Sequence, residues 1–141
     1  MRKSLLYSLF GLGTLPRKVA PSLEGEGIVL LDEGVPGTVT LENFRAPGRY
    51  TTKMTSRFSG SLVITEVRFA AFTFSRPIIN VGLTDERLQD LDVSVPAENV
   101  LVVAFDVARF HEGWSGSARC RFSTPNAREY LERLQLATSR T

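Results

Sequence analysis

Histidine and serine side chains come close together in one glycine-containing stretch near the C-terminal end, where catalysis would first be sought. His111 is the single histidine of the chain, and a glutamate follows it. A zinc-hydrolase HExxH motif would place a second histidine at position 115, where this chain has Ser115. The letters GWSG that follow lack the closing glycine of a nucleophile elbow, because Ser117 occupies that position. We therefore predict that the protein is not an enzyme, with no catalytic residue and no metal site in this stretch.

Two further groups could bind metals or act as nucleophiles, but simpler explanations fit them. Cys120 falls on the apolar side of an alternating strand, which predicts a buried thiol. A single cysteine allows neither an internal disulfide nor a zinc site built from paired cysteines. The stretch 85–98 is acidic, yet it lacks the regular spacing of oxygen ligands and the glycine turn of a calcium loop. We predict a solvated acidic surface and no cofactor. The carboxylates are Asp85, Glu86, Asp90, Asp92 and Glu98.

Four cations recur every fourth position between residues 45 and 57, without an acidic residue among them. In a loop they could attract an anionic membrane surface, each contributing about 1 kcal/mol near it. They could equally form a solvated loop that keeps a strand edge soluble. The four candidate binding residues are Arg45, Arg49, Lys53 and Arg57.

The only tryptophan, Trp114, lies with Phe110 in a predicted hairpin loop. Its ring either folds back over the core or projects as an anchor for a membrane interface or a partner protein, and Phe110 is included in that candidate anchor. Arg119 and Arg121 share one exposed face of the last predicted strand. Because no aromatic residue accompanies them there, they would make a poor platform for stacking bases, and we expect no nucleic-acid partner.

The whole chain has 141 residues, of which 43% are hydrophobic and 23% charged, values typical of one globular domain with its own core. No run approaches the roughly 18 apolar residues that cross a bilayer. Residues 1–26 form a basic and apolar lead-in, for which we expect a short helix over residues 2–10, with a membrane-surface anchor or an export signal as alternatives. The domain itself is expected at 27–141, in the cytoplasm, with peripheral membrane attachment as the alternative.

Short runs of alternating polarity predict seven strands from Thr38 onward. Residues 58–75 predict two strands joined by a tight connection. The aromatic residues of this stretch do not share one parity, which predicts either a β-bulge or burial on both faces. Residues 28–31 are a further short strand candidate, 32–37 are predicted to be a turn, and 45–59 a polar loop.

One amphipathic helix is expected to follow the strands. Thr124 and Pro125 form a helix start, with a capping hydroxyl and a proline at the first helical position. With no helices between the strands, we predict an antiparallel sheet that curls or closes to hide its edges. The helix stripe facing the core is Ala127, Tyr130, Leu131 and Leu134.

This order of elements resembles the pleckstrin-homology-like barrel. The letters GSLVIT at 60–65, with Arg68 and Phe72, resemble the G-x-L-x-(I/L)-T-x-x-R-x-x-x-F stretch of GRAM-type and bacterial pleckstrin-homology-like domains. The likeness spans roughly residues 27–136. The tryptophan common in the capping helix of pleckstrin-homology domains is absent, and Tyr130 is its nearest substitute. The resemblance implies that the helix plugs one end of a seven-stranded barrel and that loops at the other end bind partners. In that superfamily the first of these loops, here 45–59, often holds an anionic lipid headgroup.

We therefore expect a non-catalytic binding module that interacts with a partner protein or with itself. The nearly unbroken apolar strand 100–107, and the separation of basic from acidic loops, favour this expectation. Peripheral membrane association through the basic loop is one alternative. A small-molecule-binding or enzymatic barrel is another, and it would require an internal cavity with convergent polar groups.

Overall fold

One antiparallel sheet of seven strands, curled into a half-barrel, carries a single C-terminal helix. The computed structural model describes residue 25, residues 27–73 and residues 76–139. The hydrogen-bonded order of the strands is β4-β3-β2-β1-β7-β6-β5. Their bounds are β1 Ile28–Ala46, β2 Arg49–Thr65, β3 Arg68–Thr73, β4 Arg76–Gly82, β5 Asp92–Ala97, β6 Val100–Asp106 and β7 Ser115–Ser123, followed by helix α1 at Ala127–Ser139.

The mainly-β class, the seven antiparallel strands and the closing helix are confirmed. Two short 3₁₀ helices, Glu86–Asp90 and Val107–Arg109, complete the described elements, and the first lies within the acidic stretch 85–98. The helix expected over residues 2–10 lies outside the described residues.

Two local predictions were wrong, both concerning the long first hairpin. Residues 32–37 are not a turn, because β1 runs through them and pairs with β2, with a register shift between Glu33 and Val35 that accommodates the positive φ of Gly34. Residues 45–59 are not a polar loop, since the chain turns only at Pro47-Gly48 and then re-enters the sheet. Threonine and tyrosine in this stretch favour the extended backbone, and pairing with β1 stabilises it.

A second irregularity lies near the end of β1. Asn43 has a positive φ of 50°, and the register between β1 and β7 shifts between Glu42 and Arg45. Gly116 faces this bulge so closely that a Cβ there would lie 2.6 Å from the Asn43 carbonyl oxygen. The bulge thereby turns Phe44 inward, where its side chain is buried.

Helix α1 is joined to the sheet by a polar contact at its start and an aromatic one in its middle. The Asp32 carboxylate accepts from the Thr124 hydroxyl at 2.9 Å and from the Asn126 amide at 3.0 Å. The Tyr130 hydroxyl donates to the Leu62 carbonyl oxygen at 3.2 Å from a fully buried position. The predicted core stripe is confirmed, with Leu131 half-buried at its edge. Its buried members are Ala127, Tyr130 and Leu134.

Residues 60–65 at the end of β2 and residues 69–72 of β3 are buried on both faces, which explains the mixed parity of the aromatic residues in 58–75. Phe69 belongs to the main core inside the curl, whereas Phe72 belongs to a second cluster on the other face. Strand β6 lies between β5 and β7, and Leu101, Val102 and Val103 are all buried there. The position of β6 as a central, buried strand therefore explains its apolar run.

The residues that carry the resemblance at 60–72 build the sheet itself. A Cβ on Gly60 would lie 2.1 Å from the Phe72 carbonyl oxygen, so the close approach of β3 requires glycine there. The Thr65 hydroxyl accepts from the backbone N–H groups of Val67 and Arg68 and forms the β2–β3 turn. The Arg68 side chain donates to the Asn80 side chain at 2.9 Å.

Candidate functional site

An apolar cavity of about 240 Å³ opens at one end of the half-barrel. Helix α1 packs beside Val29 and Ile64, near the start of β1, whereas the cavity lies by Phe44, near the end of β1. The two features therefore sit toward opposite ends of the same long strand. Five strands and the β6–β7 connection form the wall, whose residues are Val39, Leu41, Phe44, Arg49, Ile78, Phe105, Val107, His111, Trp114 and Ala118.

The mouth of the cavity is built from stacked rings. The indole of Trp114 meets Phe44 edge-on, with ring centroids 5.6 Å apart and planes at 86°. The imidazole of His111 stacks on the same indole, with ring centroids 4.8 Å apart and planes at 19°. Trp114 is still 38% exposed. The ring therefore folds back against Phe44 of the core while more than a third of its surface stays exposed. Its role as an anchor for a membrane or a partner protein stays a prediction.

His111 is held in this stack from behind. Its Nε2 atom lies 3.4 Å from the Ile78 carbonyl oxygen, a contact that joins the β6–β7 connection to β4. The His111 ring therefore forms part of the wall at the cavity mouth.

Phe110 turns away from the mouth and packs into the core. It contacts Phe105 edge-on at 5.3 Å, and the Arg87 guanidinium lies 5.4 Å from its ring centroid on the outside. Such a covered ring contributes to the stability of the connection.

The four predicted cations separate into two pairs. Arg49 lines the cavity, and the guanidinium of Arg45 lies 4.6 Å above the ring of Tyr50, which is 55% exposed. Lys53 instead forms a 4.0 Å ion pair with Glu42, and Arg57 lies opposite Thr38. Of the four cations, only Arg49 lines the cavity.

The outer face of β2, β1 and β7 collects the other pair of cations. Thr38 is paired in register with Arg57 on one side and with Arg121 on the other, which aligns these side chains in one row. The Thr40 and Thr55 hydroxyls contact at 3.0 Å in the next row. This arrangement is a solvated polar sheet face.

The acidic stretch is held by ion pairs. The Arg87 guanidinium lies 2.7 Å from the Asp85 carboxylate, and its hydrogen bonds keep the pKa of Asp85 below its ordinary value. The Arg109 guanidinium lies 2.8 Å from Asp90. The first pair is local, whereas the second joins the first 3₁₀ helix to the β6–β7 connection, which carries Trp114.

The remaining candidate groups are the Cys120 thiol and the side chains that could bind a metal. Cys120 is fully buried, as predicted, and burial raises the pKa of its thiol to about 12. In residue 25, 27–73 and 76–139, no group of three or more histidine, cysteine or carboxylate side chains is placed to hold a metal ion.

Sequence reasoning found Trp114 and Arg49 but missed that they share one cavity. The other wall residues are spread over four strands and the β6–β7 connection, so no local pattern could connect them. The one signal available was an amphipathic aromatic residue in a loop, which is enriched where a surface is partly apolar and partly wet. Chemically, the cavity can take one apolar group and offers Arg49 to a negative charge beside it.

No protein-family model matches the chain, and no curated protein matches it. None of the helices in the described part of the chain is long and apolar enough to span a membrane.

Proposed function

We propose that this protein is a non-catalytic binding module of the pleckstrin-homology-like superfamily, and that it binds a partner protein by taking an apolar side chain into the cavity at its open end. The observation that carries the proposal is the cavity beside Trp114, with Arg49 in its wall. The strand order and the closing helix are compatible with that fold.

The size of the cavity favours a protein partner over a free small molecule. At about 240 Å³ it is smaller than the roughly 300–1,000 Å³ typical of small-molecule sites. A single large apolar side chain fits such a volume, and anchors of this kind dominate the energetics of protein interfaces. Tryptophan and arginine, which both line this cavity, are among the residue types enriched in such interfaces.

The charge at the mouth predicts what flanks the apolar anchor. Arg49 lies in the wall and Arg45 stands above Tyr50 nearby. A carboxylate next to the anchor would gain a charge-assisted hydrogen bond from Arg49. We therefore propose that the partner presents a large apolar residue beside an aspartate or glutamate.

Panning a random peptide library on the purified protein tests this function, with Trp114 fluorescence as the readout because it is the only tryptophan. Selected peptides should share an apolar residue next to an acidic one and should change the fluorescence on binding. Arg49→Glu should abolish binding, whereas Arg57→Glu, the same charge change on the outer face, should not. Peptides that bind Arg49→Glu as well as wild type would contradict the proposal.

A second candidate function is peripheral association with an anionic membrane. It is favoured by the exposed rings of Tyr50 and Trp114 beside Arg45 and Arg49, since aromatic residues and cations suit the membrane interface. Co-sedimentation with phosphatidylserine vesicles should then decrease steeply with salt. Arg45→Glu/Arg49→Glu should lose binding while Lys53→Glu/Arg57→Glu retains it. Equal binding by both double variants would exclude this mouth as the membrane site.

A further inference from the structure

Four large apolar side chains are exposed in the described part of the chain, and one of them has a carboxylate beside it. The four are Tyr50, Val67, Trp114 and Leu136. Of these, only Val67 has an acidic residue directly next to it in the sequence, the exposed Glu66. Together the two residues have the composition that we proposed above for the group entering the cavity.

The turn between β2 and β3 holds this pair in one backbone conformation. The Thr65 hydroxyl accepts from the Val67 N–H at 3.1 Å. The Glu66 N–H donates to the Gly27 carbonyl oxygen at 3.0 Å, and the Val67 carbonyl oxygen accepts from the Leu83 N–H at 2.8 Å. A surface that is ordered before binding loses less conformational entropy when a partner binds it. The turn is therefore preorganised to present Val67.

The charges of the turn and of the cavity are complementary. Arg49 is exposed and lines the cavity, and Glu66 is exposed at the turn. The cation that follows Val67, Arg68, donates to the Asn80 side chain at 2.9 Å, which holds it against β4. A Glu66 carboxylate that reached Arg49 would gain a charge-assisted hydrogen bond.

The turn and the cavity lie at opposite ends of β2. Arg49 is the first residue of this strand, and Glu66 follows its last residue, Thr65. The 17 residues of β2 span about 55 Å along the strand. A chain therefore cannot place its own turn in its own cavity, and a second copy has to supply it. A contact between two different surfaces of identical chains repeats head to tail, in a ring or a filament.

We propose that the cavity takes the β2–β3 turn of a second copy of this chain, with Val67 against Trp114 and Glu66 accepting from Arg49. This inference rests on the function proposed above and names its partner. Interfaces below roughly 1,200 Å² are weak, and one turn in one cavity belongs to that class. The head-to-tail assembly therefore depends on protein concentration.

Sedimentation velocity of the full chain over a series of concentrations tests the assembly. The sedimentation coefficient of the wild type should rise with concentration, whereas Arg49→Glu and Val67→Asp should each stay monomeric. An equal mixture of the two variants should form pairs and nothing larger, because the first keeps an intact turn and the second an intact cavity. A wild type that stays monomeric throughout, or association that persists in both variants, would overturn the proposal.

Exchanging the two charges provides a specific control. Arg49→Glu/Glu66→Arg should recover the association lost in Arg49→Glu, because opposite charges meet again across the contact. Arg49→Glu/Glu98→Arg has the same net charge but places the new cation in the exposed turn between β5 and β6, so it should stay monomeric. Recovery in both double variants, or in neither, would overturn the proposal.

Trp114 fluorescence shows whether the assembly uses the cavity. Its emission should shift to shorter wavelength as the wild-type concentration rises, because Val67 of a neighbour covers the exposed indole, and it should not shift in Val67→Asp. Peptides that bind through Arg49 to a chain that never self-associates would leave the cavity function intact and overturn this partner alone. The absence of both peptide binding and self-association would overturn both proposals.

Discussion

The imidazole of His111 lies nearly parallel to the indole of Trp114, with ring centroids 4.8 Å apart and planes 19° apart. His111 is in turn 3.4 Å from the Ile78 carbonyl oxygen. The stack therefore links the β6–β7 connection to β4 across the cavity mouth, and it fixes the orientation of Trp114.

Replacing His111 by alanine should loosen this mouth. An aromatic pair contributes about 0.5–1.5 kcal/mol, so we expect His111→Ala to lose about 1 kcal/mol of unfolding free energy. Trp114 fluorescence should also become more sensitive to acrylamide quenching. His111→Phe should restore the stack, and Glu112→Ala, a change in the exposed neighbour, should have little effect. Quenching unchanged in His111→Ala would contradict the positioning role.

Gly60→Ala should destabilise the sheet strongly. The added Cβ would stand 2.1 Å from the Phe72 carbonyl oxygen, so β2 and β3 must separate. Overpacking of this kind costs about 1–3 kcal/mol of unfolding free energy. Because the added Cβ meets backbone and not a flexible side chain, we expect a loss near the upper end of that range. Urea denaturation measures it. Gly82→Ala is the matched control, because its Cβ would meet nothing closer than 3.7 Å. Similar losses in both variants would show that crowding at Gly60 is not the cause.

Asp32→Ala should weaken the attachment of helix α1. The substitution leaves the Thr124 hydroxyl and the Asn126 amide without their acceptor, at a cost of about 1–3 kcal/mol. Hydrogen exchange should accelerate in α1 before it does in β6. Asp92→Ala, at an exposed position, should change stability by no more than about 0.5 kcal/mol. Unaltered exchange in α1 would mean that the apolar stripe alone holds the helix.

Stability should fall at alkaline pH because of two buried acids. Burial raises the pKa of Cys120 from its ordinary 9.0 to about 12, and burial together with the Asp32 carboxylate raises the pKa of Tyr130 well above 10.0. Between pH 9 and 12 the unfolded chain releases the thiol proton while the folded chain keeps it, so rising pH favours unfolding by up to about 1.4 kcal/mol per pH unit. Below pH 9 this contribution is absent.

Urea midpoints at a series of pH values from 8 to about 10.5 measure the effect. Cys120→Ala should show a shallower decline than wild type, since it removes the thiol from both states. An identical slope in the two proteins would contradict the prediction for Cys120.

The sequence was sufficient for features that depend on local periodicity. Alternation in β5 and β7, the apolar run of β6 and the three- and four-residue spacing of Tyr130 and Leu134 follow from which face of an element is buried. The cap at Thr124 is equally local, because its hydroxyl accepts from the Asn126 N–H two residues later. Each of these signals lies within one strand or one helical turn.

Predictions from local composition were wrong where pairing with a neighbouring strand determines the backbone conformation. The letters DEGVPG at 32–37 have a composition typical of turns, yet β2 pairs with this stretch and a bulge at Gly34 absorbs the glycine conformation. The basic run 45–57 is polar and contains Pro47 and Gly48, a composition typical of loops. Pairing with β1 nevertheless holds its residues from Arg49 onward in an extended strand. That extension places Arg49 at the cavity and Lys53 beside Glu42, which four-residue spacing could not indicate.

The sequence by itself determined the class of the fold, because strand and helix periodicities are properties of consecutive residues. Only the tertiary structure decided which residues form a site. Phe44, Ile78 and Trp114 become neighbours through the curl of the sheet and the bulge at Asn43, and the burial of Phe72 opposite Phe69 appears only when both faces of β3 are occupied. These contacts join residues far apart in the chain, and strand register, which no local pattern specifies, sets them.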